Sequence, residues 1–173
     1  MLSSPASASD LASCWGAPTL VGDMVGFLHP AAGDVGAVIV PHWGYDGLCF
    51  HPMVRRLAAE LAAAGMPSLR YDPPGSGHSG DVDDASDLAA AWTRSVVAAA
   101  AALRAASGAR RVALIGFGLG AAAAAQASGE IEGLAGAALI APWLSGRRAL
   151  RELSAAGRLT AEAMGVAPDA GAP

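Results

Sequence analysis

The chain has 173 residues, enough for one domain, and its 53% hydrophobic and 15% charged content fits a soluble globular protein. A net charge of −4 argues against nucleic acid, and the arginines at 147, 148, 151 and 158 have no interleaved aromatics, so they read as a solvated helix face. The N-terminus lacks the basic start and sustained apolar core of a secretory signal. The longest bland run, 95–103, is too short to cross a bilayer. Cys14 and Cys49 stand alone without metal spacing, which points to a reducing compartment, a cytoplasmic protein and no metal or cofactor.

Residues 1–20, rich in Ser, Ala and Pro, read as an irregular leader, 21–165 as a single domain and 166–173 as a tail. Val25–His29 and Gly36–Val40 are strand candidates that the 30–35 turn can join as a hairpin, with His29 as a turn residue. A loop at 41–47 leads to a helix marked by Phe50, Met53, Val54, Leu57 and Leu61 and ended by Gly65, with Cys49 as a small buried residue at its start. Met66–Tyr71 is the next strand and 72–80 a loop. Asp81, Asp83, Asp84 and Asp87 open a helix whose buried stripe is Leu88, Trp92, Val96 and Leu103 and which Gly108 ends.

Val112–Ile115 is short and aliphatic, as a strand buried on both faces should be. Gly116, Gly118 and Gly120 follow, then an alanine-rich helix. Leu134–Ala141 gives a further strand, Trp143 a core-edge side chain, and 145–164 a last helix with Leu150, Leu153 and Leu159 as its apolar contacts. This alternation predicts an α/β fold with a mostly parallel, doubly wound sheet. The strands at 36–40, 67–71, 112–116 and 134–141 run parallel, Val25–His29 lies antiparallel to the first of them, and 112–116 stays off the edge. Loops 41–47, 72–80 and 116–120 fall at the carboxyl ends of strands, where ligands collect.

The glycine turn admits three readings. It fits a nucleophile elbow, Gly-x-Ser-x-Gly, at every position but the serine. It also fits a dinucleotide fingerprint through Gly116, Gly118 and Ala121, or a tight turn that holds nothing. The fingerprint is disfavoured because strands precede the turn and the next strand ends Leu139-Ile-Ala-Pro142 without a carboxylate for a ribose. Ser76 and Ser79 sit in a glycine-rich loop outside any elbow frame, and their hydroxyls read as turn-forming.

Taken together, the 41–47 loop, Asp72, Gly75, Gly77 and Ser79, the Gly116–Gly120 turn and Leu139–Pro142 resemble the α/β-hydrolase superfamily over residues 24–164, in its serine aminopeptidase-like and lysophospholipase-like branch. The resemblance implies an α/β-hydrolase-like domain, incomplete on its C-terminal side, of the ester- or amide-hydrolase type. It places the nucleophile at Gly118 and oxyanion-hole backbone N–H groups at Leu119 and Tyr45, beside Gly44, with Trp43, Phe117, His42 and His78 around the crevice. Gly118 has no side chain and none of the four histidines follows it, so the resemblance implies a catalytically degenerate member. Two alternatives stand beside that reading: the N-terminal part of an active serine hydrolase, and a non-enzymatic module binding a small acyl or ester ligand or a protein. Self-association through the edge of the 134–141 strand is also expected.

Overall fold

The computed structural model of the chain describes residues 15–82, 87–163 and 165. Two compact units divide after Pro142. The first carries six strands and three long helices in the order β1 Ala17–Val21, β2 Met24–His29, β3 Val35–Val40, α1 Gly44–Ala63, β4 Ser68–Tyr71, α2 Leu88–Ser107, β5 Arg111–Phe117, α3 Leu119–Ala127 and β6 Leu134–Ile140. The second carries α4, Gly146–Ala163.

The strands form one sheet in the order β1-β2-β4-β3-β5-β6. β3 is parallel to both β4 and β5, and β5 is parallel to β6, each through a helical crossover. β5 therefore lies inside the sheet, as its unbroken apolar run predicts. The hairpin expected between residues 25–29 and 36–40 does not form. β2 runs antiparallel to β3 in direction, but β4 lies between them, and β2 pairs with β4 and with β1. A two-residue turn at Gly22-Asp23 makes the real hairpin, with Val21 opposite Met24 and Gly22 at φ 65°, so residues 17–20 are strand and not leader.

Side-chain alternation along the central strands builds two apolar layers. Val38 and Val40 of β3 and Val112 and Leu114 of β5 face Trp92, Val96 and Leu103 of α2 and the alanines of α3. Ile39, Ile115 and Phe117 point the other way, onto Val54, Leu57, Ala58 and Leu61 of α1. Helices thus cover both faces, although the apolar stripe expected on α1 holds only in its second half. Phe50 and Met53 are exposed, and so is Cys49. Pro52 lies between the two halves. Asp87 caps α2, its Oδ1 accepting from the N–H groups of Ala89 at 3.0 Å and Ala90 at 3.3 Å, and Gly108 ends it at φ 74°. Asp83 and Asp84, expected in the same cluster, lie outside the described residues, as do Cys14 and the 166–173 tail.

His29 is no turn residue. It ends β2 and is buried. Arg70 is buried too. Its guanidinium stacks 4.1 Å over the Phe27 ring and donates to the Trp15 carbonyl at 2.7 Å. In the second unit Arg147, Arg148, Arg151 and Arg158 are exposed, Arg148 paired with Glu152 at 2.8 Å. Leu150 is exposed and not the apolar contact expected, and the side chains of Leu153 and Leu159 lie outside the description.

Trp92 ties this frame together. Fully buried in the larger layer, it also donates from Nε1 to the Pro74 carbonyl at 3.1 Å, anchoring the 72–80 loop. Trp92→Ala is expected to cost about 3–5 kcal/mol in urea unfolding. A loss below about 1 kcal/mol would mean that the core can collapse onto the gap.

Candidate functional site

The carboxyl ends of β3, β4 and β5 meet at one end of the sheet, where this topology gathers ligands. A groove of about 590 Å³ lined by Ala17, His29, Ala59 and Ala63 opens instead beside the far end of β2 and the last turns of α1. The candidate site is therefore the smaller cavity, about 170 Å³, at the carboxyl ends. His42, Gly44, Leu48, His51, Asp72 and Ser76 contribute to its lining.

Three glycines shape the turn against which His42, one of its lining residues, is packed. At Gly116 a Cβ would stand 2.6 Å from the Ala121 Cα, and at Gly120 it would run into the carbonyls of Val40 and Pro41. Helix α3 thus leaves β5 in backbone contact with both β5 and β3, which no larger residue permits. Between them Gly118 takes φ 56° and ψ −115°, a turn that an L residue enters only under strain. The Gly118 carbonyl then accepts the first helical bond of α3, from Ala122 at 3.3 Å.

What lies above Gly118 is the imidazole of His42. The Cδ2, Nε2 and Cε1 atoms of that ring all crowd the point where a Cβ on residue 118 would stand, so the ring presents its face to the glycine. Nδ1 donates to the Trp43 carbonyl at 2.9 Å, and Nε2 lies 3.8 Å from Asp46 Oδ2. Because a carbonyl can only accept, Nδ1 carries the proton of this bond. The ring is largely enclosed while Asp46 is mostly exposed.

The expected loop at 41–47 is shorter than the sequence suggests. α1 begins at Gly44, φ 70°, and its first turn lies directly behind His42. Tyr45 and Leu119 both fall in the first turn of a helix, where backbone N–H groups have no intrahelical acceptor, which is the property an oxyanion donor needs. The Tyr45 side chain itself points to solvent. Trp43 is half-buried against the larger apolar layer. Phe117 does not border the crevice: it is buried against Ile39, Val54 and Ala58, because the alternation along β5 turns it toward α1.

His78 is displaced from the cavity as well. Exposed, it sits 3.2 Å from Asp72 Oδ2, the same oxygen that accepts its backbone N–H at 2.9 Å. Ser79 Oγ donates to the Asp72 carbonyl at 2.5 Å and accepts from Val25 N–H at 3.1 Å, while Ser76 Oγ donates to the Pro73 carbonyl at 2.8 Å. Both hydroxyls hold turns, as their spacing predicts. Two residues were not read from the sequence as part of the site. Asp46 reaches His42 through an i, i+4 spacing that was legible only once helix α1 was known to start at 44. His51 lines the same cavity from one turn further along, 3.4 Å from Arg70 Nη1, with burial and the Arg70 charge lowering its pKa.

Residues 47–169 match the family described as serine aminopeptidase, S33. The chain belongs to this family. Its fold is also that of solved α/β hydrolases. One from Penicillium sp. sh18 is 20% identical with a TM-score of 0.58, covering 88% of this chain and 56% of its own. A proline iminopeptidase of Mycobacterium smegmatis is 22% identical with a TM-score of 0.54, covering 83% and 55%, and an α/β hydrolase of Agrobacterium tumefaciens is 17% identical with a TM-score of 0.59, covering 73% and 59%. The chain thus spans somewhat more than half the length of these structures. No curated protein matches it. Family membership favours the elbow over the dinucleotide fingerprint, and so does the turn's place after β5, with β3 and β4 earlier in the same parallel array.

Any side chain at 118 must displace the His42 ring and break its bond to Trp43. Gly118→Ala is expected to destabilise by about 2–4 kcal/mol, from the positive φ and the overlap together. In a His42→Ala background the overlap part should vanish, leaving a coupling of about 1–3 kcal/mol in a double-mutant cycle followed by urea unfolding. Additive effects would show that the ring moves aside without cost.

Proposed function

We propose that this family member keeps the fold and crevice of an ester- or amide-hydrolysing enzyme but does not carry out serine-type hydrolysis, and that the crevice accommodates a small acyl or ester ligand. The observation that supports this reading is the elbow itself: Gly118 has the strained turn of a nucleophile position, no hydroxyl, and an imidazole stacked where a hydroxyl would project. Fluorophosphonate probes are expected to leave the unmodified chain unlabelled. Gly118→Ser should give at most slow, single labelling without turnover. A serine without a positioned histidine loses on the order of 10⁶ in turnover, and the nearest ring, His42, is the one the new side chain displaces. Rapid catalytic hydrolysis by the unmodified chain that is abolished by Ser79→Ala would place the active site elsewhere.

A second reading concerns partners. β6 ends the sheet, and Leu139 and Ile140 on it are 40% and 44% exposed. An apolar edge strand is a template for pairing, so we propose self-association through residues 134–141. Light scattering at micromolar concentrations should show dimers or larger species that Leu139→Lys reduces. A monomer unaffected by concentration would count against it.

A further inference from the structure

Helix α1 consists of two halves that the sheet holds very differently. We infer that its first half, residues 44–53, is a flap that opens as a unit while residues 54–63 stay on the sheet, and that this motion gives access to the crevice. The flap rests on the reading of the crevice as a ligand site only for what it admits, a small acyl group. The first support is anchoring. The buried residues of α1 are Val54 and Ala58, with Leu57 and Leu61 partly buried beside them, all in the second half. In the first half every residue except Gly47 is exposed, Tyr45, Leu48, Phe50 and Met53 among them. A segment without buried apolar contacts opens at a free energy well below that of global unfolding.

Both ends of the segment are suited to act as hinges. Pro52 has no N–H to give the Leu48 carbonyl and its ring crowds that carbonyl, so the helical ladder is interrupted where the two halves meet. At the other end Gly44 stands at φ 70°, and Trp43 before it makes no side-chain bond that caps the helix. The segment is also one wall of the crevice. Gly44, Gly47, Leu48 and His51 line the cavity from the flap, whereas His42 and Asp72 line it from the frame. Two polar ties across this seam are long: Asp46 Oδ2 lies 3.8 Å from His42 Nε2, and Arg70 Nη1 lies 3.4 Å from His51 Nε2. The His42 side chain is 11% exposed behind the first turn of the flap, so opening uncovers it.

Hydrogen exchange of the full chain, followed by mass spectrometry at low micromolar concentration, tests the motion. Amides of residues 48–53 are expected to exchange at least about 100-fold faster than those of 57–62. Pro52→Ala returns a donor to the Leu48 carbonyl and should slow the first set about tenfold while leaving the second unchanged. Diethyl pyrocarbonate at about pH 7, where imidazole is mostly neutral, tests the access. Carbethoxylation of His42 should slow by a similar factor in Pro52→Ala, while that of His78, whose side chain is 79% exposed on the 72–80 loop, should not change. Equal exchange in the two halves of α1, or rates in 48–53 that Pro52→Ala leaves unaltered, would overturn the flap. A His42 rate unaltered by the same substitution would overturn its control of access. Should Pro52→Ala not fold, the two halves of the unmodified chain decide by their rates alone. Fluorophosphonate labelling of a serine would sink the proposed function and leave the exchange rates as they are, so the two failures are distinct.

Discussion

Helix α3 lies so close to the sheet that its backbone touches two strands, and most of the site follows from that contact. Gly116 has no room for a Cβ against Ala121, and Gly120 none against the carbonyls at the end of β3. Close approach draws the start of α3 and the 41–43 segment together, so whatever follows β3 must lie over residue 118. A single Cβ at 116 or 120 would push the helix outward and separate His42 from the elbow. Alanine at 121, 123, 124 and 127 continues the same requirement along the helix, each of these residues being buried. The high alanine content of the chain is in this stretch a packing solution.

Within that frame Gly118 and His42 form one unit. A glycine at a strained turn is ordinarily explained by φ alone, and 56° would suffice here. The ring adds a second, independent reason, because any Cβ would displace a largely enclosed imidazole bonded to a backbone carbonyl. The residue that lacks a side chain and the residue that fills its place are complementary in volume. Core positions elsewhere in proteins show the same reciprocity between neighbours. It distinguishes this elbow from one that has merely lost its hydroxyl, which would leave a void.

The neighbouring 72–80 loop is tied down by side-chain hydrogen bonds. Asp72 is held by the backbone and ring of His78, Ser79 ties the 72–80 loop to the Val25 N–H, and Trp92 pins Pro74 from below. The hydroxyls in this loop are spent on turn geometry, which is why neither is a nucleophile candidate despite lying near the cavity. Arg70 and His51 link the same region to α1.

The parallel array, the interior place of β5, the strand-turn-helix at 111–127 and the structural role of Ser79 were all legible in the sequence, because each rests on local periodicity, turn chemistry or the need for long connections between parallel strands. Gly22-Asp23 carried the signal for the β1–β2 hairpin as well, though the 30–35 turn competed with it. Only the tertiary structure decided that β4 lies between β2 and β3, since strand order depends on where the α1 crossover returns and no local pattern records it. It also turned Phe117 into the core, set His78 outside the cavity, and laid the His42 ring across Gly118. Those placements depend on the register of strands and the approach of one helix, contacts between residues 76 positions apart in the case of His42 and Gly118, which hydrophobic periodicity cannot encode.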